Sequence, residues 1–281
     1  MNPTIPVSSP RGHTSLSRVV PRTELRQLYR LLRHSLVSTA VQIQIAKEFC
    51  RDPKKLQSLV QRSRDHFAHY DNRGEAFHRR KGVGILSSGV LASPKPVHEV
   101  NRRVRQFGIR SLAEPMLDAN YVDYELSPTR TTDSIHETGK PSRAGGGIDL
   151  LLTNANDRLP VLVEAKGATD RNLFLGLIQA LTYAVEFSTP FQRERLQRAY
   201  LGQFEWQPGS AAVDLYLLVV GVPRSRHHPT IVELVDDISR QLLSPGTAVL
   251  GLVRRIVCLE TEMVGSEAIP VRTVFHHAAS A

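Results

Sequence analysis

Residues 145–187 read GGGIDLLLTNANDRLPVLVEAKGATDRNLFLGLIQALTYAVEF, and the fold turns on this stretch. Two apolar runs, Ile148 to Thr153 and Pro160 to Ala165, flank Asn154-Ala155-Asn156-Asp157-Arg158, a segment rich in turn formers. The pattern predicts an antiparallel hairpin. Strand side chains alternate between faces, so Val161, Val163 and Ala165 share one face, and Leu162, Glu164 and Lys166 the other. The hairpin returns Asp149 beside Glu164 and Lys166. Two carboxylates and an ammonium converge there, which is a geometry suited to a metal ion. After Gly167 the apolar positions Leu173, Leu177, Ile178, Leu181 and Val185 follow helical spacing. Gln179 and Tyr183, four apart, fall on one face of that helix.

Carboxylate oxygens are the ligands a hard cation such as Mg²⁺ prefers, and one or two of them plus substrate phosphate suffice to hold it. A lysine beside such a site orients water or offsets charge in a phosphoryl transition state. The combination of Asp149, Glu164-Ala165-Lys166 and Gln179-x-x-x-Tyr183 resembles the PD-(D/E)xK phosphodiesterase superfamily, in its RecB-like Gln-x-x-x-Tyr form. The resemblance covers roughly residues 97–220, and Ile148 stands where the superfamily's proline would precede the aspartate. It implies an α/β fold with a restriction-endonuclease-like core of helix, three antiparallel strands, helix and strand. It also implies Mg²⁺- or Mn²⁺-dependent cleavage of nucleic acid, most readily DNA. Carried over, Asp149 and Glu164 hold the metal with the Ala165 carbonyl, Lys166 orients the attacking water and Gln179 supports the site. Glu99 stands where the superfamily often supplies a further carboxylate. An exposed helix glutamate is the plainer reading of Glu99, and Glu125 is its rival for the third acidic ligand.

The remaining composition bounds the alternatives. The 281 residues, 41% hydrophobic and 22% charged, describe a soluble globular protein of one large domain or two modest ones. No apolar run is long enough to span a bilayer, and the first 18 residues lack the apolar core of a secretory signal. Two cysteines, Cys50 and Cys258, exclude a disulfide framework, so a cytoplasmic location is expected. Charge is unevenly distributed: residues 1–110 carry 21 Lys+Arg against 7 Asp+Glu, whereas residues 111–281 carry 15 against 20. A basic N-terminal part beside a carboxylate-bearing body suits a polyanionic partner such as nucleic acid.

In chain order, residues 1–20 read as a flexible tail, 21–93 as a basic helical N-terminal region, and 94–281 as the nuclease-like domain with a C-terminal extension. Residues 21–50 predict one long helix or two shorter ones, buried through Leu25, Leu28, Leu31, Leu32 and Leu36, with Arg26, Arg30 and Arg33 largely opposite. A helix from Pro53 to His69 follows. Arg79, Arg80 and Lys81 form either a phosphate clamp or a solvated turn. Residues 81–96 read as a connector. An amphipathic helix from Val97 bears Glu99, Arg102, Arg103 and Arg105. Tyr121 to Leu126 predicts the first strand, and the polar stretch after it, with His136 and Glu137, a long loop. Residues 213–220 predict a buried strand, 230–243 a helix, 248–259 a strand, and the last residues a short strand. Arg224, Arg226, His227 and His228 form a basic loop. A catalytically inactive nuclease-fold module that binds nucleic acid or a partner protein is the competing expectation. A homodimer would pair two sites across a duplex.

Overall fold

Three helices begin the part of the chain that the computed structural model describes, namely residues 23–34, 37–68, 78–79, 96–127, 147–167, 173–206, 213–221, 226–247, 249, 251–261 and 269–279. Helix α1 (Glu24–Arg33) starts at Thr23, whose side-chain oxygen accepts the Arg26 N–H. Ser38 caps α2 (Thr39–Arg51) through the Val41 N–H, and α3 (Pro53–Phe67) opens on a proline, whose missing N–H costs nothing there. The 21–50 stretch is thus two helices, broken where His34 turns to extended backbone. The buried face of α1 differs from the expected one. Leu25, Tyr29 and Leu32 are buried and so is Arg26, whereas Leu31 is 55% exposed. The cause is Glu186, which gives Arg26 a partner inside the core.

The sheet is built from β1 (His78–Arg79), β2 (Ile109–Ser111), β3 (Ala119–Ser127), β4 (Ile148–Asn154), β5 (Pro160–Gly167), β6 (Val213–Val220), β7 (Val253–Thr261) and β8 (Ile269–Ala278). Between them run α4 (Pro96–Phe107), a 3₁₀ turn (Pro115–Leu117), α5 (Leu173–Phe187), α6 (Pro190–Ala199) and α7 (His228–Leu242). Strands β3, β4 and β5 pair antiparallel, and β5, β6 and β7 pair parallel. Strand β8 runs antiparallel to β7, and short β2 pairs parallel to β8 and touches β3 at Ile109 and Ala119. These pairings join the two ends of the sheet, so it curls about α4. The architecture is α/β with a mixed sheet. Neither β1 nor β2 is anticipated by the local pattern, and β7 begins at Val253 rather than 248.

Both faces of the central strands are buried, which explains their near-continuous apolar runs. Val161, Val163 and Ala165, with Leu150 and Leu152, pack on Val100 and Val104 of α4. Leu151 and Leu162 face the other way, into a larger core shared by α1, α2, α3, α5 and α7. Every residue of α5 is buried, so any polar side chain on it needs a partner within the protein. Among the described residues no helix is long and apolar enough to cross a membrane. The expected tail, the 81–95 part of the connector, the Arg80–Lys81 pair, Arg224 and the loop bearing His136 and Glu137 lie outside the described residues.

Candidate active site

The site forms where β4, β5 and α5 meet. Leu150 lies opposite Val163 in the β4–β5 register, and continuing that register by one residue sets Asp149 beside Glu164. The Ala165 N–H donates to Asp149 Oδ2 at 2.8 Å. Gln179, reaching across from α5, donates through Nε2 to Glu164 Oε1 at 2.7 Å. Its Oε1 accepts from Lys166 Nζ at 3.4 Å, and the same ammonium lies 3.5 Å from Glu164 Oε2. The amide of Gln179 is used at both ends, which fixes its orientation. Asp149, Glu164, Lys166 and Gln179 are brought together as the pattern predicts.

Their environment is not that of a solvated strand end. Glu164 is 1% exposed, Lys166 and Gln179 are also buried, and Asp149 is the half-buried member. Burial pushes the Glu164 carboxyl well above its ordinary range, and the neighbouring Asp149 charge pushes it further, against the pull of Lys166. Glu164 Oε2 is buried, and its one polar neighbour shown, the Lys166 ammonium at 3.5 Å, is too distant for a good hydrogen bond. A divalent cation fits this arrangement: it would take this under-coordinated oxygen as a ligand and cancel the repulsion between the two carboxylates. Asp149 and Glu164 are the residues that would hold it. No group of three or more His, Cys, Asp or Glu side chains suited to a metal occurs among the described residues. Two carboxylates are the number at which Mg²⁺ relies on water and substrate phosphate for its remaining ligands.

Lys166 owes its placement to a glycine. A Cβ at Gly176 would lie 3.1 Å from Lys166 Cε and 3.6 Å from Cγ, so the bare backbone of α5 makes room for the lysine stem.

The sequence reading misses a second set of residues, on α1 and the far half of α5. Arg26 Nε donates to Glu186 Oε1 at 2.6 Å, and both side chains are almost wholly buried. Burial works against the Arg26 charge, but Glu186 overrides it and raises the guanidinium above its ordinary value. Burial also raises Glu186, and Arg26 only partly offsets it. Between this pair and the site lie Tyr183 and Tyr29, two buried phenols raised first by desolvation and then by the Glu164 charge. The signal was present: Gln179, Tyr183 and Glu186 recur at helical spacing on a helix whose only other polar side chain is Thr182.

Glu99 is not brought to these residues. It pairs along α4 with Arg102 at 2.6 Å and Arg103 at 3.1 Å, which together, Arg102 first, hold its carboxyl down at about 2. Glu125 lies on β3, with its side chain outside the described residues. Arg105 sits over the Tyr124 ring, 3.9 Å from its centroid. Arg226 donates to His227, and His228 opens α7. Comparison of the chain with protein-family models, with curated proteins and with solved structures finds no match.

Proposed function

We propose that this protein is a nuclease that hydrolyses phosphodiester bonds with Mg²⁺ or Mn²⁺, on a PD-(D/E)xK, restriction-endonuclease-like core. The observation that carries the reading is the hydrogen-bonded cluster of Asp149, Glu164, Lys166 and Gln179 at the end of β5. It is supported by the succession of α4, antiparallel β3, β4 and β5, α5 and β6, which is compatible with the helix, three strands, helix and strand that the resemblance implies, although β2 and a 3₁₀ turn intervene after α4 and α6 after α5. DNA is the substrate favoured by the basic balance of the chain, with a net charge of +9.

In this reading each residue has one task. Asp149 and Glu164 face the reacting phosphate from adjacent strands, with Asp149 anchored by the Ala165 N–H. A divalent cation held by the two carboxylates supplies Lewis acidity at the phosphoryl oxygen and lowers the pKa of bound water. Lys166, held by Glu164 and Gln179, presents its ammonium to the attacking oxygen and to charge growing on the phosphorus oxygens. Gln179 keeps both partners aligned, and the buried walls exclude bulk water, which strengthens every one of these interactions.

The test is cleavage of supercoiled plasmid and of linear single- and double-stranded DNA in Mg²⁺, Mn²⁺ or EDTA. Wild type should cleave in either metal and not in EDTA. Glu164→Ala and Lys166→Ala should each lose about 100-fold or more in rate. Wild-type rates in Glu164→Ala overturn the assignment. Absence of cleavage in every metal, with salt-sensitive DNA binding retained, identifies a catalytically inactive binding module instead.

A further inference from the structure

Exposed arginines elsewhere in this fold pair with carboxylates: Arg62 with Glu24, Arg158 with Glu205, Arg198 with Glu194 and Arg240 with Asp237. The strip where α4 meets β2 and β3 is built differently. Arg105, in the last turn of α4, lies over the Tyr124 ring of β3, with its guanidinium carbon 3.9 Å from the centroid. Arg110 of β2 donates through Nη1 to the Ile109 and Ala119 carbonyls at 2.8 and 3.1 Å, and through Nη2 to Asn120 Oδ1 at 3.0 Å. Both guanidiniums are held by neutral groups, and neither joins an ion pair among the described residues. Both side chains are also part-exposed, so their charge reaches solvent.

The placement is specific. Gly108 ends α4 in left-handed backbone, φ 72°, and its N–H donates to the Val104 carbonyl. A Cβ there would stand 2.3 Å from the Ala119 carbonyl oxygen and 2.9 Å from Arg110 Nη1, so glycine is what lets the Arg110 guanidinium close onto β3. A ring face and carbonyl oxygens orient a guanidinium without cancelling its charge, and its five N–H donors leave some for an anion. Side chains already fixed in this way lose less freedom when an anion binds. Asn120 and Tyr124 lie on β3 at either side of the bulge at Tyr121 and Asp123, a separation on the order of 10 Å. One small anion does not bridge both cations at that spacing, whereas phosphates along a polynucleotide do. Tyr124 also lies opposite Leu150, the neighbour of Asp149 in the chain, so the strip begins at the level of the proposed site, on the α4 side of the sheet.

We infer that Arg105, set on Tyr124, and Arg110, set on the Ala119 carbonyl and Asn120, bind two backbone phosphates of nucleic acid, so that the junction of α4 with β2 and β3 is a substrate-holding surface. This rests on the proposed nuclease function and adds to it the place where the polyanion is held. Binding is measured by fluorescence anisotropy of a short labelled DNA duplex in EDTA, across a series of salt concentrations. Arg105→Ala and Arg110→Ala should each weaken binding several-fold and reduce the slope of log K against log salt by about one, and the double variant by about two. Arg110→Gln, which keeps an amide donor for the Ala119 carbonyl while removing the charge, should reduce the slope as Arg110→Ala does. Its melting temperature, followed by circular dichroism, separates lost charge from a folding defect. In Mg²⁺ the double variant should raise KM more than it lowers kcat. Arg198→Ala, at an exposed arginine of α6 paired with Glu194, serves as the control and should leave the slope unchanged.

An unchanged slope and KM in the double variant, with a wild type that cleaves, overturn this inference alone. A lowered melting temperature with an unchanged slope overturns it too, and leaves the two arginines as braces of the α4 end. A wild type that cleaves in no metal overturns the proposed function, while the binding slope still decides whether Arg105 and Arg110 contact phosphate. A wild type that binds no DNA overturns both.

Discussion

Replacing Arg26 by Met should cost the fold about 3–5 kcal/mol at neutral pH, because it strands a buried carboxylate. The Arg26 and Glu186 side chains are 4% and 1% exposed, so water reaches neither group. Glu186 Oε2 already lacks a hydrogen-bond partner, and Oε1 takes its hydrogen bonds from Arg26 alone. The substitution removes a charge and two donors at once and nearly preserves the apolar stem. Set against a typical domain stability of about 5–15 kcal/mol, the loss is large. It also depends on pH. Burial already places Glu186 above its ordinary value of 4.5, and losing Arg26 raises it further. With the folded value above the unfolded one, the native protein holds a proton that the unfolded chain releases, and stability falls as pH rises between them. The Arg26→Met deficit should therefore be larger at about pH 8 than at about pH 5. Urea denaturation followed by circular dichroism at both pH values measures it. Arg26→Met/Glu186→Leu should regain most of the loss, since apolar replacement of a buried pair is often neutral. A deficit below about 1 kcal/mol at the higher pH, or a double variant no more stable than the single one, refutes the reasoning.

Two other outcomes test the site's geometry. Gly176→Ala should leave stability unchanged or gain the roughly 0.5–1 kcal/mol that alanine brings to a helix interior, yet lower the cleavage rate about tenfold by displacing the Lys166 stem; wild-type kinetics would show that the lysine position is not set there. Glu99→Gln should cost no more than about 1 kcal/mol and keep cleavage, because its carboxylate serves ion pairs along α4. Loss of cleavage in that variant would return Glu99 to the list of metal ligands.

The parts of this structure legible in the sequence are those governed by local periodicity. The alternation of Val161, Val163 and Ala165 against Leu162, Glu164 and Lys166 sorts these residues onto the two faces they occupy. The turn residues 154–158 separate β4 from β5, and helical spacing recovers α5. What failed was long-range. Arg26 lies on a helix whose leucines define a conventional apolar stripe, and nothing nearby says that an arginine joins it. Its partner is 160 residues away. Likewise β2 is three residues long and exists because Ile109, Arg110 and Ser111 pair with the distant Ile269, Pro270 and Val271. Glu99 is a different case, for Arg102 and Arg103 at the (i, i+3) and (i, i+4) positions were visible all along. Those two neighbours are a more economical account of that glutamate than a metal.

The basic excess of residues 1–110 acquires a physical meaning once the cores are traced. Helices α1, α2 and α3 share one apolar core with α5 and α7, so the basic elements are not an arm appended to a separate body. Of the two carboxylates at the proposed site Glu164 is buried and Asp149 half-buried, and among the described residues Lys166 is the cation seen paired with them, facing inward. Helix α1 carries two arginines seven residues apart in different surroundings. Arg26, facing α5, is neutralised by Glu186 and docks the helix. Arg33, the last residue of the helix, is exposed. The same side-chain type serves opposite ends because burial differs by two helical turns.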